Sequence, residues 1–102
     1  MGAALLTQEG SIYTGVNIEN PSLMLTVCAE RVALLKALSE GRRSFKALAV
    51  LSEAFQEPCL PCGACRQLLW EFAPALTLVL PYSGGTEVLA LRELLPRPFR
   101  RP

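Results

Sequence analysis

The 102-residue sequence contains no histidine. With that nitrogen ligand missing, any transition-metal site has to be built from thiols and carboxylates. No run approaches the roughly twenty consecutive apolar residues that a membrane span requires, and the first residues lack the charged start of an export signal. Net charge is nearly absent too. Ten basic and nine acidic residues leave +1, so no long-range field gathers a polyanion, and neither nucleic acid nor membrane is an expected partner. Internal repeats and low-complexity segments are also lacking. The length reads as one domain over residues 1–102, a size that buries only a modest share of its surface. Yet 51% of the residues are hydrophobic and the mean hydropathy is +0.32. Part of that apolar surface is therefore expected between the subunits of a homo-oligomer.

What the chain does have is a concentrated set of thiols. Cys28-Ala29-Glu30 and, further on, Pro61-Cys62-Gly63-Ala64-Cys65 supply three thiols and one carboxylate. Three thiolates, Cys28, Cys62 and Cys65, fill three of the four tetrahedral positions zinc prefers and leave one open for water, as in a catalytic site. Glu30 then has the separate task of moving that water's proton. A lone Cys-x-x-Cys is a weak signal, shared by redox pairs and zinc ribbons. Cys-x-Glu followed by Pro-Cys-x-x-Cys is narrower and resembles the all-cysteine form of the zinc deaminase signature. The fourth thiol, Cys59, reads as a bystander on the loop entering the site. Its alternative is a fourth ligand, which would make the zinc structural and the domain a binding or assembly module. Metal-ligand spacing and the absence of an export signal favour reduced thiols and a cytoplasmic location over disulfides.

The pattern of elements predicts an α/β fold. Ala3–Gln8 and Ser11–Val16 read as a hairpin around a two-residue turn, Glu9-Gly10. Residues 28–40 show helical recurrence of Val32, Leu35 and Leu38 and of Ala29, Ala33 and Ala37, with Gly41 as C-cap. Phe45–Leu51 reads as a strand, 52–61 as a polar loop, and Gly63–Phe72 as a helix through Leu68, Leu69 and Phe72. Leu76–Pro81 and Thr86–Ala90 read as strands around the turn 83–85, and Leu91–Leu95 as a last helical turn closed by Pro96. Alternating strands and helices argue for parallel middle strands with a right-handed crossover, the hairpin lying to one side. The tail 97–102, with three arginines and two prolines, reads as a solvated end rather than a binding patch.

Both thiol segments fall at helix N-termini, where unpaired N–H groups and the dipole favour anionic sulfur. Three thiolates, zinc and a hydroxide carry an excess of negative charge, which nearby cations would have to offset. Arg31, and also Arg66, are expected to hydrogen-bond ligand sulfur; the alternative is a pair of exposed helix arginines.

Four segments, Gly15-Val16-Asn17-Ile18-Glu19-Asn20, Thr26-Val27-Cys28-Ala29-Glu30-Arg31, Pro61-Cys62-Gly63-Ala64-Cys65-Arg66-Gln67 and Glu93-Leu94-Leu95-Pro96, together resemble the small homotetrameric cytidine deaminases. The likeness runs nearly end to end. It implies a three-layer fold with a mixed five-stranded sheet, an N-terminal hairpin and flanking helices. It implies one Zn2+ per subunit on Cys28, Cys62 and Cys65, with Glu30 passing a proton from water to cytosine N3 during attack at C4. Asn17 and Glu19 would hold the ribose hydroxyls, a task suited to an amide and a carboxylate. Backbone N–H groups near Ala29 would read the pyrimidine carbonyl. Phe99 would reach a neighbouring subunit's base, so that active sites are shared; read alone, it is a staple for the last turn. The implied activity is hydrolysis of cytidine and deoxycytidine to the uridine and ammonia in pyrimidine salvage.

Two departures stand out. The family's Ala-Ser-Tyr-Gly is replaced by Pro21-Ser22-Leu23-Met24, which removes an aromatic from the subunit boundary. The family's further N-terminal helix and Phe-Pro-Val segment have no counterpart before Gly2, which leads to the expectation of an internal start at Met1 and of one sheet face without its covering helix. The rival functions are deamination of another aminopyrimidine nucleoside such as blasticidin S, the structural-zinc module, and an impaired deaminase fragment.

Overall fold

A computed structural model describes residues 1–53 and 56–101. Of the expected loop 52–61, positions 54 and 55 lie outside the described residues, as does the last residue of the tail.

The chain opens with β1 (Gly2–Thr7) and β2 (Ile12–Val16), paired antiparallel from Gly2 opposite Val16 to Leu6 opposite Ile12. The hairpin closes differently from the expectation. The Thr7 N–H donates to the Ser11 carbonyl at 2.9 Å and the Ser11 N–H to the Thr7 hydroxyl at 3.0 Å, leaving a three-residue loop, Gln8-Glu9-Gly10. Its third position needs a left-handed backbone, which Gly10 supplies at φ +96°; this is the usual closure of a three-residue loop.

β3 (Phe45–Leu51), β4 (Thr77–Tyr82) and β5 (Gly85–Ala90) complete a mixed sheet in the order β2-β1-β3-β4-β5. Only β3 and β4 run parallel. They are joined through α2 (Gly63–Phe72), the crossover that parallel pairing requires. Period-two alternation buries Ala3, Leu5 and Thr7 on β1, Tyr13 on β2, Leu48 and Val50 on β3, and Leu78 and Leu80 on β4. The expected five-stranded sheet, hairpin and flanking helices are all present.

α1 (Ala29–Ser39) lies against β1 and β2, α2 packs beside it, and α3 (Leu91–Leu94) packs beside α2. The inward face of α1 is the stripe Ala29, Ala33, Ala37 with Leu34. Leu35, expected inside, is about half exposed. Small side chains win this face because the helix runs very close to β2: a Cβ on Gly15 would fall 2.4 Å from the Ala29 carbonyl oxygen. α1 stops where expected. Gly41 takes φ +88°, and the N–H groups of Gly41 and Arg42 return to the carbonyls of Leu38 and Ala37, each at 3.0 Å. That is the two-bond helix ending that glycine favours.

On α2 the buried residues are Cys65 and Leu69, and Phe72 stays partly exposed. A short 3-10 turn, Leu23–Leu25, buries none of its side chains. On the sheet face away from α1, Ala4, Leu6, Ala47, Ala49 and Val79 are only half-buried and Ile12 is exposed. Among the described residues no helix is long and apolar enough to cross a membrane.

Candidate metal centre

Two helix N-termini meet at one point. Cys28 is the N-cap of α1 and Cys62 the N-cap of α2, with Cys65 one turn inside. The first helical hydrogen bonds run from Val32 N–H to the Cys28 carbonyl and from Arg66 N–H to the Cys62 carbonyl. The N–H groups of residues 29–31 and 63–65 therefore have no acceptor within their own helices. The Sγ atoms of Cys28, Cys62 and Cys65 all lie within 4.8 Å of one another. All four cysteines are free, and among the described residues Cys59 does not join this group.

The three thiols differ in character. Cys62 is exposed and held below the usual thiol range, chiefly by the Cys65 N–H and then by the Ala64 N–H and the two neighbouring thiols, against its partial burial. These amides act through their positive ends without closing an ordinary capping hydrogen bond. Cys65 is buried and pushed well above that range, first by desolvation and then by the other thiols and Glu30. A cation held among the three sulfurs would favour the thiolate form of each.

Glu30 adds a second mark of an unfinished site. It is only 1% exposed, and its Oε1 has no hydrogen-bond partner among the described residues. Leaving such an acceptor unpaired costs about 1–3 kcal/mol. Glu30 stands in the first turn of α1, two positions after the Cys28 N-cap, and its charge raises the thiols of both Cys65 and Cys59. Three convergent soft donors and a buried carboxylate with an unused oxygen fit zinc plus a protic ligand.

Arg31 donates from Nη2 to the Thr26 carbonyl at 3.0 Å and reaches Cys28 Sγ at 3.9 Å. The Cys28 contact is also the largest cause of its raised pKa. Arg66 behaves otherwise. Its Nε donates to the Pro61 carbonyl at 2.7 Å and its Nη1 to the Leu94 carbonyl at 3.0 Å. Among the described residues it makes no hydrogen bond to sulfur. It ties the backbone entering Cys62 to the end of α3 through those two carbonyls.

Asn17 and Glu19 flank Ile18, whose backbone exchanges two hydrogen bonds with Val27 at 2.8 and 2.9 Å. That bridge sets the Asn-x-Glu segment beside the residue preceding Cys28. Asn17 is half-buried, its Oδ1 accepting from the Met1 amino group at 3.1 Å, and Glu19 is exposed. Ala29 is fully buried at the first position of α1. Phe99 is 70% exposed. Its backbone is held by Gln67 through two bonds of 3.0 Å, and the Arg100 guanidinium lies 5.2 Å from the centre of the Trp70 ring. Phe99 and Arg100 therefore have partners on α2, an amide and an indole face, while residues 97 and 99–101 stay exposed, as a solvated end would be. Two residues whose part was missed are Gly15 and Gln67. Both lie in segments that carry the family resemblance, and only the packing assigns them a task.

The family model described as "Cytidine and deoxycytidylate deaminase zinc-binding region" matches residues 1–80. The chain belongs to this deaminase family. A cytidine deaminase of Halalkalibacterium halodurans is 50% identical over 101 residues, spanning 97% of this chain and 76% of the relative. A crystal structure of cytidine deaminase from Burkholderia pseudomallei superposes with a TM-score of 0.89 at 45% identity, covering 96% of this chain and 80% of the other. The blasticidin-S deaminase of Bacillus cereus is more distant, at 30% identity over 99% of this chain and 77% of its own length. The family's zinc-binding region takes in Cys28, Cys62 and Cys65, the same three thiols that converge here.

Proposed function

We propose that this chain is a zinc-dependent cytidine deaminase, converting cytidine and deoxycytidine with water to the corresponding uridine and ammonia. The observation that carries the reading is the three-thiol cluster with the buried, unpartnered Glu30 carboxylate beside it. Cys28, Cys62 and Cys65 hold one Zn2+ per chain. When bound, the metal supplies Lewis acidity that acidifies water toward neutral pH and so makes a nucleophile available.

Everything else is done by the protein. Glu30 takes one proton from the attacking water and places it on cytosine N3, so the ring carries no net charge as oxygen adds to C4. The same carboxylate then moves the added oxygen's proton to the exocyclic amine. The C–N bond breaks, ammonia leaves, and the C4 carbonyl of uridine forms. The low exposure of Glu30 supports this role, since a shuttle shielded from bulk water gives its proton only to what enters the site. Arg31, at hydrogen-bonding distance from Cys28, offsets negative charge on the ligand set. Arg66 supports the centre indirectly, by fixing the Pro61 backbone.

Asn17 and Glu19 bind the ribose hydroxyls, a reading supported by the bridge that lays their segment beside Val27 and Cys28. The free N–H at Ala29, at the start of α1, reads the pyrimidine carbonyl. Phe99 contacts the base in a neighbouring subunit of a homotetramer, so that sites are shared. Its exposed ring, with the exposed Leu23, Met24 and Leu25, supports association. Four free thiols support work in the reducing cytoplasm, in pyrimidine salvage.

The test is Glu30→Gln. Turnover of cytidine falls by about a thousandfold or more, with zinc content and folding unchanged, because only the proton shuttle is lost. Near-normal turnover in that variant removes the mechanism.

A further inference from the structure

We propose that Gln67 is a positioning residue that presents Phe99 to the nucleoside. The inference rests on the reading of Phe99 given above and adds the residue that holds it.

Gln67 lies on α2, two positions after Cys65. Its Oε1 accepts from the Phe99 N–H and its Nε2 donates to the Phe99 carbonyl, each at 3.0 Å. One side-chain amide thus satisfies both backbone groups of one residue, as a neighbouring strand would. The same Nε2 donates to Glu71 Oε1 at 3.3 Å, one helical turn on, which fixes which end of the amide is the donor. Gln67 is itself flanked by two further anchors: Arg66 on the Leu94 carbonyl, and Trp70 under the Arg100 guanidinium.

The clamp grips backbone and leaves the ring alone. Phe99 remains 70% exposed. An aromatic side chain on an ordered backbone, with its face unused, has met much of the ordering cost before any contact is made. Because the clamp stands on α2, the backbone that carries the ring is tied to the body of its own subunit, from which the ring would reach the neighbouring site.

Three variants test this: Gln67→Ala, Phe99→Ala and the double variant. Each is assayed for zinc content, KM and kcat with cytidine, and hydrogen exchange at the Phe99 amide. In Gln67→Ala that amide exchanges roughly thirtyfold faster, the weight of two hydrogen bonds of ordinary net strength. KM rises by about tenfold, the share of one aromatic contact, while kcat stays within about twofold. Zinc content does not change, which a general loosening of α2 would not allow. The double variant is no worse than Phe99→Ala, since both changes remove the same contact. A raised KM in Phe99→Ala with an unchanged KM in Gln67→Ala overturns the role of Gln67 and leaves the reading of Phe99 standing. An unchanged KM in Phe99→Ala overturns that reading and this proposal with it. Additive losses in the double variant also overturn it.

Discussion

Replacing Gly15 with alanine disturbs the metal centre from the far side of α1. The new Cβ would fall 2.4 Å from the Ala29 carbonyl oxygen, 2.7 Å from the Ala33 nitrogen and 3.1 Å from the Val32 Cβ. Ordinary carbon–oxygen contact begins at about 3.3 Å, so the first turn of α1 has to withdraw by about an ångström. The atoms in the way are backbone, which cannot rotate aside. Overpacking of this kind costs about 2 kcal/mol or more, against the few tenths gained by stiffening the unfolded chain. For a domain of this size that lowers Tm by roughly 10 °C. The withdrawing turn carries Cys28 and Glu30. Zinc–sulfur distances tolerate only about ±0.2 Å, so zinc affinity falls as well, by about tenfold or more. Thermal unfolding and competition against a chromogenic chelator read the two effects. Gly63→Ala is the control, because a Cβ there meets nothing within 4 Å and alanine suits a helix better than glycine. A Gly15→Ala protein with Tm within about 2 °C of the parent and unchanged zinc affinity refutes the close approach of α1 to β2.

Cys65→Ser removes the buried thiol of the three-cysteine cluster, so zinc content after dialysis drops to background and Tm falls with it, read by metal analysis and calorimetry. Gly41→Ala forces alanine into φ +88° at the end of α1. It costs about 1 kcal/mol and roughly 5 °C of Tm, with zinc retained, which thermal unfolding and metal analysis check together.

The parts legible in the sequence are those written in local signals. The thiol spacing marked where both helices begin, Gly41 marked where α1 ends, and the apolar run 45–51 gave β3 its observed bounds. The rest depended on contacts that no local window contains. Leu34 faces inward and Leu35 does not because Gly15, on another strand, draws the alanine stripe close. The hairpin loop is a residue longer than expected because the Thr7 hydroxyl takes the Ser11 N–H. Arg66 and Gln67 find their partners 28 and 32 residues away. An arginine-rich tail read alone gives no hint that α2 will hold it. The 3-10 turn at Leu23–Leu25 left no pattern because none of its side chains is buried.

The central claim is that three thiols and one buried carboxylate deaminate cytidine. The direct measurement is release of uridine and ammonia from cytidine by the purified chain, with zinc counted on the same sample. The account predicts equal amounts of both products and a rate proportional to bound zinc, saturating at one zinc per chain. A chain loaded with one zinc that leaves cytidine untouched contradicts it.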